Sequence, residues 1–283
     1  MRVGATLNGA DGNVTDGKTE GRRIYAIGDL HGRIDLLDDM LARIRADLVA
    51  RPHASPHIVF LGDYCDRGPD SRGVISRLIE IEAGPLPATF LFGNHDSYIE
   101  AYLEEPEWYD RTYHWLHSAM GGAETLASYG VPDAEAADPA ATRDAFAAAF
   151  PAEHLAFLHR CALNARIGGY LFVHAGIRPG VAVADQARDD LIWIREPFLS
   201  SRDDFGFKVV HGHTIVPEPE HRSNRIAIDT GGFRTGILTC LVLEGDDVSV
   251  LERTGPTPLP ETGPGLGGSL MRGFRAAISR RKP

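Results

Sequence analysis

Aspartate, asparagine and histidine recur beside glycine at three places within seventy residues: Gly28-Asp29-Leu30-His31-Gly32, Gly62-Asp63-Tyr64-Cys65-Asp66-Arg67-Gly68 and Gly93-Asn94-His95-Asp96. Two later histidine clusters join them, Val173-His174-Ala175-Gly176 and Val210-His211-Gly212-His213-Thr214. These residue types bind metal ions and move protons. The candidate ligand set is Asp29, His31, Asp63, Asn94, His174 and His213. Mixed imidazole and oxygen donors suit Mn, Fe or Zn rather than Mg or Ca, and the lack of thiolates argues against a structural zinc site. Six donors are too many for one closed tetrahedral ion. They suit two ions sharing a carboxylate and clamping an in-line displacement at phosphorus.

A lone Asp or His at a strand end is more often a turn or capping residue than a ligand. Repetition overturns that prior. Each cluster follows an apolar, β-rich run: Ile24-Tyr25-Ala26-Ile27, Ile58-Val59-Phe60-Leu61 and Thr89-Phe90-Leu91-Phe92 for the first three. In a parallel α/β sheet such strand ends share one edge, where these folds place their sites. The flanking glycines fit too, because a close backbone approach to an ion or phosphate leaves no room for a Cβ.

Helices connect the strands. Leu36, Leu37, Met40, Leu41, Ile44 and Leu48 recur at helical spacing, as do Val74, Ile75, Leu78 and Ile79. Strand–helix–strand–helix–strand order implies parallel pairing. Residues 98–166 read as a helical lobe inserted after the third strand, with Trp108, Tyr109, Tyr113 and Trp115 packing it or lining a groove. Strands return at Tyr170–Val173, Lys208–Val210, Arg225–Ile228, Ile237–Leu243 and Val248–Leu251; the later ones suggest hairpins and a second, mixed sheet. Residues 1–20 read as a flexible leader, 21–253 as the catalytic domain, and 254–283 as a flexible tail.

With 283 residues, the chain can bury a sizeable core without staples. A formal charge of −10 argues against a nucleic-acid surface, though metal ions and a few arginines can still draw anionic substrates. Three scattered cysteines fit a reducing compartment. Neither a signal peptide nor a membrane span is evident, so the cytoplasm is the expected location and a monomer the default state. The basic tail, with Arg272, Arg275, Arg280, Arg281 and Lys282, reads first as a solvated end and second as a membrane-surface contact.

In this order, Gly-Asp-x-His-Gly, Gly-Asp-x-x-Asp-Arg-Gly, Gly-Asn-His-Asp, His-Ala-Gly and Gly-His-Thr resemble the motifs of the calcineurin-like metallophosphoesterases. More narrowly they resemble the phosphoprotein phosphatase (PPP) family, in particular its bacterial and bacteriophage-lambda branch of serine/threonine phosphatases. The resemblance implies an α/β metallophosphoesterase fold: two mixed sheets packed as a sandwich, flanked by helices and carrying a helical insertion. It implies one ion on Asp29, His31 and Asp63 and a second on Asp63, Asn94, His174 and His213, with Mn2+ the first expectation and Fe or Zn the alternatives. His95 would be the general acid, paired with Asp66, while Arg67, Arg195 and the Asn94 amide would hold phosphate. Metal-bound hydroxide would attack directly, without a phosphoenzyme.

The main expectation is therefore hydrolysis of phosphoserine and phosphothreonine in a phosphorylated protein partner. The alternative is a symmetrical dinucleoside tetraphosphatase, or a broad phosphatase taking small molecules and phosphotyrosine. Nucleotide hydrolases of this kind typically lack the second aspartate of the second motif, here Asp66. His211, Asp96 and Asp229 are less defined. Packing is favoured over a supporting role for His211; for the two aspartates, orienting ligands and capping turns weigh equally. Cys65 reads as a small buried hydrophobe.

Overall fold

The computed structural model describes residues 18–104, 115–132, 138–252 and 255–261. Trp108, Tyr109, Tyr113, residues 1–17 of the expected leader and the basic tail lie outside them. The elements in chain order are β1 (Arg23–Ile27), α1 (Ile34–Ala50), β2 (Pro56–Phe60), α2 (Ser71–Glu82), β3 (Ala88–Phe90), α3 (Asn94–Glu104), α4 (Gly122–Ser128), α5 (Pro139–Ala149) and α6 (Ala152–Arg160). They continue with β4 (Asn164–Ile167), β5 (Tyr170–Val173), α7 (Arg188–Trp193), β6 (Lys208–His211), β7 (Glu220–His221), β8 (Arg225–Ala227), α8 (Gly232–Thr235), β9 (Cys240–Glu244), β10 (Asp247–Glu252) and β11 (Gly255–Pro258).

Two mixed sheets result. One has the order β11-β10-β9-β1-β2-β3, the other β4-β5-β6-β8-β7. Strands β1, β2 and β3 are parallel, with Ile27 opposite Phe60 and Phe60 opposite Phe90; β5, β6 and β8 are parallel in the second sheet. Their apolar runs are continuous because both faces are covered. Ile24, Ala26, Val59 and Leu61 meet Phe172, Val210, Ile226, Leu241 and Leu243 between the sheets. Tyr25, Ile27, Ile58 and Phe60 instead face the helices, where α1 buries Leu37, Met40, Leu41 and Ile44 and α2 buries Val74, Ile75 and Leu78. The side-chain period of two thus assigns alternate residues to two cores. No described helix is long and apolar enough to cross a membrane.

Four points differ from the sequence reading. Strands β9 and β10 join the first sheet, with β9 antiparallel to β1, rather than extending the second. An apolar alternation fixes which residues face a core but not which sheet they complete. Gly255–Pro258 is an edge strand on β10 and not flexible tail. Pro256 and Pro258 stand two apart, so their missing N–H groups point the same way, as an outer strand tolerates.

At the other end, residues 18–20 are anchored. Gly169 N–H donates to Lys18 O, Gly168 N–H to the Glu20 carboxylate and Gly245 N–H to Thr19 Oγ1, each at 2.9 Å. These bonds tie turns of the two sheets together. The helical lobe, expected to begin at residue 98, begins inside the third motif, because α3 starts at Asn94.

Candidate metal centre

The chemistry-bearing residues follow the carboxyl ends of parallel strands. Asp29 and His31 follow β1, Asp63, Asp66 and Arg67 follow β2, and Asn94, His95 and Asp96 open α3 just beyond β3. His174 follows β5, His213 follows β6 and Asp229 follows β8. All six expected ligands are buried. Of the six non-glycine residues with positive φ among the described residues, five belong here: His31, Asp63, Asp66, Arg67 and His213. Such conformations cost about 1–3 kcal/mol each and persist where surrounding contacts hold them.

Asp63 stands at the middle. Its Oδ2 is 3.5 Å from His31 Nε2 and its Oδ1 is 3.3 Å from His174 Nε2. His31 Nδ1 lies 2.8 Å from Cys65 O and His174 Nδ1 2.8 Å from Leu61 O, so each ring donates to a backbone carbonyl and turns its other nitrogen inward. Asn94 Oδ1 sits 2.9 Å from His174 Nε2 and 2.7 Å from His213 Nδ1. Burial, helped by the charge of His95, lowers His31 to about 3; burial and then His174 lower His213 to about 2. These imidazoles are neutral at physiological pH.

That arrangement fits a cation. His174 Nε2 faces the oxygens of Asn94 and Asp63, so that one imidazole nitrogen and two oxygens converge on a point where a cation could be held. His213 Nε2 is buried without a hydrogen-bond partner among the described residues. Ligand atoms of Asp63, His174 and His213 lie within 4.8 Å of one another, as do those of His31, Asp63 and His95. Asp29 completes neither trio. Its carboxylate accepts from the His213 N–H at 3.1 Å, and burial, then Asp229 and Asp63, raise its pKa. A third trio, Glu100, Glu104 and His159, lies on the lobe, with Arg188 already paired to Glu100.

The close approach of Gly93 is a built feature, since a Cβ there would stand 2.2 Å from Asp63 Oδ1 and 2.3 Å from Asp63 N. Gly93→Ala should push the shared carboxylate aside and weaken metal binding by about 10- to 100-fold, as loss of ligand support typically does. Metal analysis after dialysis reads this directly, and wild-type retention would remove Gly93 from the account.

His95 is engaged elsewhere than in its trio. Its Nδ1 is 2.6 Å from Asp66 Oδ2, and its Nε2 is 3.0 Å from an Arg67 terminal nitrogen. A guanidinium only donates, so Nε2 accepts from Arg67 and Nδ1–H donates to Asp66. Burial alone would lower the imidazole pKa; Asp63 and the Asp66 bond outweigh it and raise it. Arg67 stacks on Phe233, 4.6 Å from the ring centroid, and its Nε is buried without a hydrogen-bond partner among the described residues. A buried, unsatisfied guanidinium donor suits an anionic oxygen.

The remaining candidates separate. Arg195 is exposed, close enough to His213 to depress its pKa, and two residues from Trp193, whose ring is 6.1 Å from that of His213. Asp96 accepts from the N–H groups of Asp63, Tyr64 and Gly93 at 2.9–3.0 Å, tying the second motif to the third. Asp229 accepts from Gly231 N–H at 2.8 Å, closing a turn, while its charge bears on Asp29. His211 packs on Phe198 at 5.1 Å, outside both trios. Cys65 is buried in the core, burial and then the nearby Asp66 push its thiol up, and its carbonyl accepts from His31 Nδ1–H. Phe233, Thr125 and Ser71 were not anticipated, and no repeated motif marks them.

The chain is 34% identical over 155 residues to a symmetrical bis(5'-nucleosyl)-tetraphosphatase of Janthinobacterium sp. (strain Marseille). That stretch is 55% of this chain and only 44% of the relative, so the match spans less than half of the relative's length. Among solved structures, a candidate diadenosine tetraphosphatase superposes with a TM-score of 0.57 at 20% identity, covering 86% of this chain and 95% of that one. The cold-active protein-tyrosine phosphatase of a psychrophilic Shewanella sp. superposes with a TM-score of 0.56 at 16% identity, over 84% and 80%. At those identities the two structures speak for the fold alone. The family model of calcineurin-like phosphoesterases matches residues 22–237, from the start of β1 past α8, and with the whole second sheet, the parallel strands of the first and every strand-end motif inside that span the chain belongs to this family of phosphoester hydrolases.

Proposed function

We propose that this chain is a two-metal hydrolase whose principal substrates are dinucleoside tetraphosphates, cleaved at a phosphoanhydride bond. The mouth of the centre carries this reading. Trp193 keeps 37% of its surface exposed beside the His213 ring, Arg195 stands two residues away, and Phe233 lies against Arg67. Aromatic faces beside two guanidinium groups suit a substrate with bases at its ends and a polyanion between them. The similarity to the tetraphosphatase supports the same reading over the stretch it shares, and so moves the expected serine/threonine phosphatase to second place.

Asp29, His31 and Asp63 would hold one ion, and Asp63, Asn94, His174 and His213 the other. Mn2+ is the first choice for such nitrogen and oxygen donors, with Fe or Zn behind it. Bound, the pair supplies an acidified water and a clamp on the phosphoryl oxygens. Arg67 and Arg195 would grip phosphate oxygens from the open side, with the Asn94 amide adding a hydrogen bond.

One observation favours the second reading, hydrolysis of phosphoserine and phosphothreonine in proteins. The Asp66–His95 pair is built to deliver a proton, which an alkoxide leaving group needs and a nucleoside phosphate does not. Side-by-side turnover of diadenosine tetraphosphate and a phosphothreonine peptide decides between them. The nucleotide reading expects kcat/KM for the tetraphosphate to be higher by about tenfold or more, about 1.4 kcal/mol in the barrier. The opposite preference assigns the site to phosphoproteins.

A further inference from the structure

Among the described residues, the stretch of the lobe from Trp115 to Thr125 grips the centre at Asp66 and its neighbour Arg67. Its carboxylate is fully buried, so every lone pair must find a donor inside the protein. His95 Nδ1 takes Oδ2 at 2.6 Å; Trp115 Nε1 donates to the same oxygen at 2.9 Å; Thr125 Oγ1 donates to Oδ1 at 2.7 Å. The last two donors lie about fifty to sixty residues away in sequence, before and within α4. The Thr125 hydroxyl also accepts from the Asp66 N–H at 2.9 Å, and the Ser71 hydroxyl does so at 3.1 Å. One threonine thus grips both the backbone and the side chain of a residue held at φ +72°. Next to it, the Arg67 N–H donates to Gly121 O at 3.1 Å, a third tie from the same segment.

Trp115 is itself fixed. Its ring packs 5.0 Å from Tyr102 and 5.9 Å from Phe146, so α3 and α5 hold the indole that holds the carboxylate.

We propose that Trp115 and Thr125 are positioning residues for proton delivery: they fix the plane of the Asp66 carboxylate so that one oxygen faces His95, and thereby tie the lobe's packing to the chemical step. The inference rests on the second reading above, in which His95 gives a proton to the alkoxide of a phosphoserine or phosphothreonine. In that step the oxygen of water bonds to phosphorus as the ester P–O bond breaks, and the leaving oxygen takes the proton that His95 Nε2 carries once the Arg67 guanidinium has turned from it to the phosphate. The carboxylate's part is directional, since a rotated Asp66 would let the imidazole swing away from the leaving oxygen. A rotation of that kind costs rate and not substrate binding.

The test compares a phosphothreonine peptide, whose alkoxide must be protonated, with p-nitrophenyl phosphate, whose phenolate leaves unaided. Trp115→Phe keeps an aromatic ring and removes the donor; Thr125→Val keeps the shape and removes the hydroxyl. Each should lower kcat for the peptide by about 10- to 100-fold with KM and metal content unchanged, as expected for a misplaced catalytic group. For p-nitrophenyl phosphate, kcat should stay within about threefold, since that ester does not draw on the acid. Thr125→Ser, which restores the hydroxyl, should recover the peptide rate. His95→Asn is the reference. If it shows the split between substrates while Trp115→Phe and Thr125→Val lose both rates equally, or lose neither, the two residues are structural and the inference fails. If His95→Asn shows no split, His95 is not the proton donor, and the functional reading beneath the inference fails first.

Discussion

Replacing His95 with asparagine should cut turnover of a phosphothreonine peptide by about 10²- to 10⁴-fold, the range of general acid catalysis, while metal content stays intact. Turnover of diadenosine tetraphosphate should fall far less. The geometry gives the reason. His95 Nδ1 is tied to Asp66 at 2.6 Å, so the ring is oriented with Nε2 toward the site. Arg67 occupies that nitrogen at 3.0 Å, and drawing the guanidinium onto a phosphate oxygen would free it to carry the transferable proton. Asparagine approximates the shape but cannot shuttle a proton. It also keeps its backbone N–H on Asp63 Oδ1, a 2.9 Å bond that helps position the shared carboxylate, so the variant separates chemistry from metal binding. Equal losses on both substrates would mean that His95 serves binding or structure, not proton transfer.

Much of this centre was legible in the sequence because the fold writes it locally. Each motif is a few consecutive residues at a strand end, and parallel strands gather such ends at one edge whatever lies between them. Asp29, His31, Asp63, Asn94, His174 and His213 could therefore be named from spacing and residue type, since they follow two parallel sets, β1, β2 and β3 in one sheet and β5, β6 and β8 in the other. What could not be read is long-range. Trp115 reads as lobe packing because an indole N–H finds its acceptor only after α3 and α5 have folded around it. Thr125 lies in an unremarkable Ala-Glu-Thr-Leu stretch, and Phe233 among glycines, with nothing periodic to single them out. Strands β9 and β10 show the same limit at the level of the fold. Leu241 and Leu243 complete the layer between the sheets equally well on paper from either sheet, and only pairing with β1 decides it.

Asp63 should prove the least replaceable residue of the chain, and Asp63→Asn the most informative loss. Its two oxygens face different imidazoles, Oδ2 toward His31 and Oδ1 toward His174, as a ligand shared by two ions must. Burial by itself would raise its pKa, yet His174 first and His95 next hold it well below the ordinary carboxylate range. The negative charge is therefore present at any pH where the protein works. Asparagine keeps the shape and can still accept from the His95 N–H, and Asp96 still holds the backbone N–H of position 63, so the fold should survive. What disappears is the charge between two cations. Removing one partner of a buried charge pair typically costs about 3–5 kcal/mol, or about 10²- to 10⁴-fold in affinity for each ion. Metal analysis should then find neither ion retained, and activity on both substrates should collapse together, unlike the split expected for His95→Asn. Asp29→Asn is the contrast. Asp29 lies outside the Asp63–His174–His213 trio, so its loss should spare the second ion and leave about one metal per chain. Two metals bound by Asp63→Asn would remove Asp63 from the middle of the centre, and with it the requirement that the two ions share a ligand.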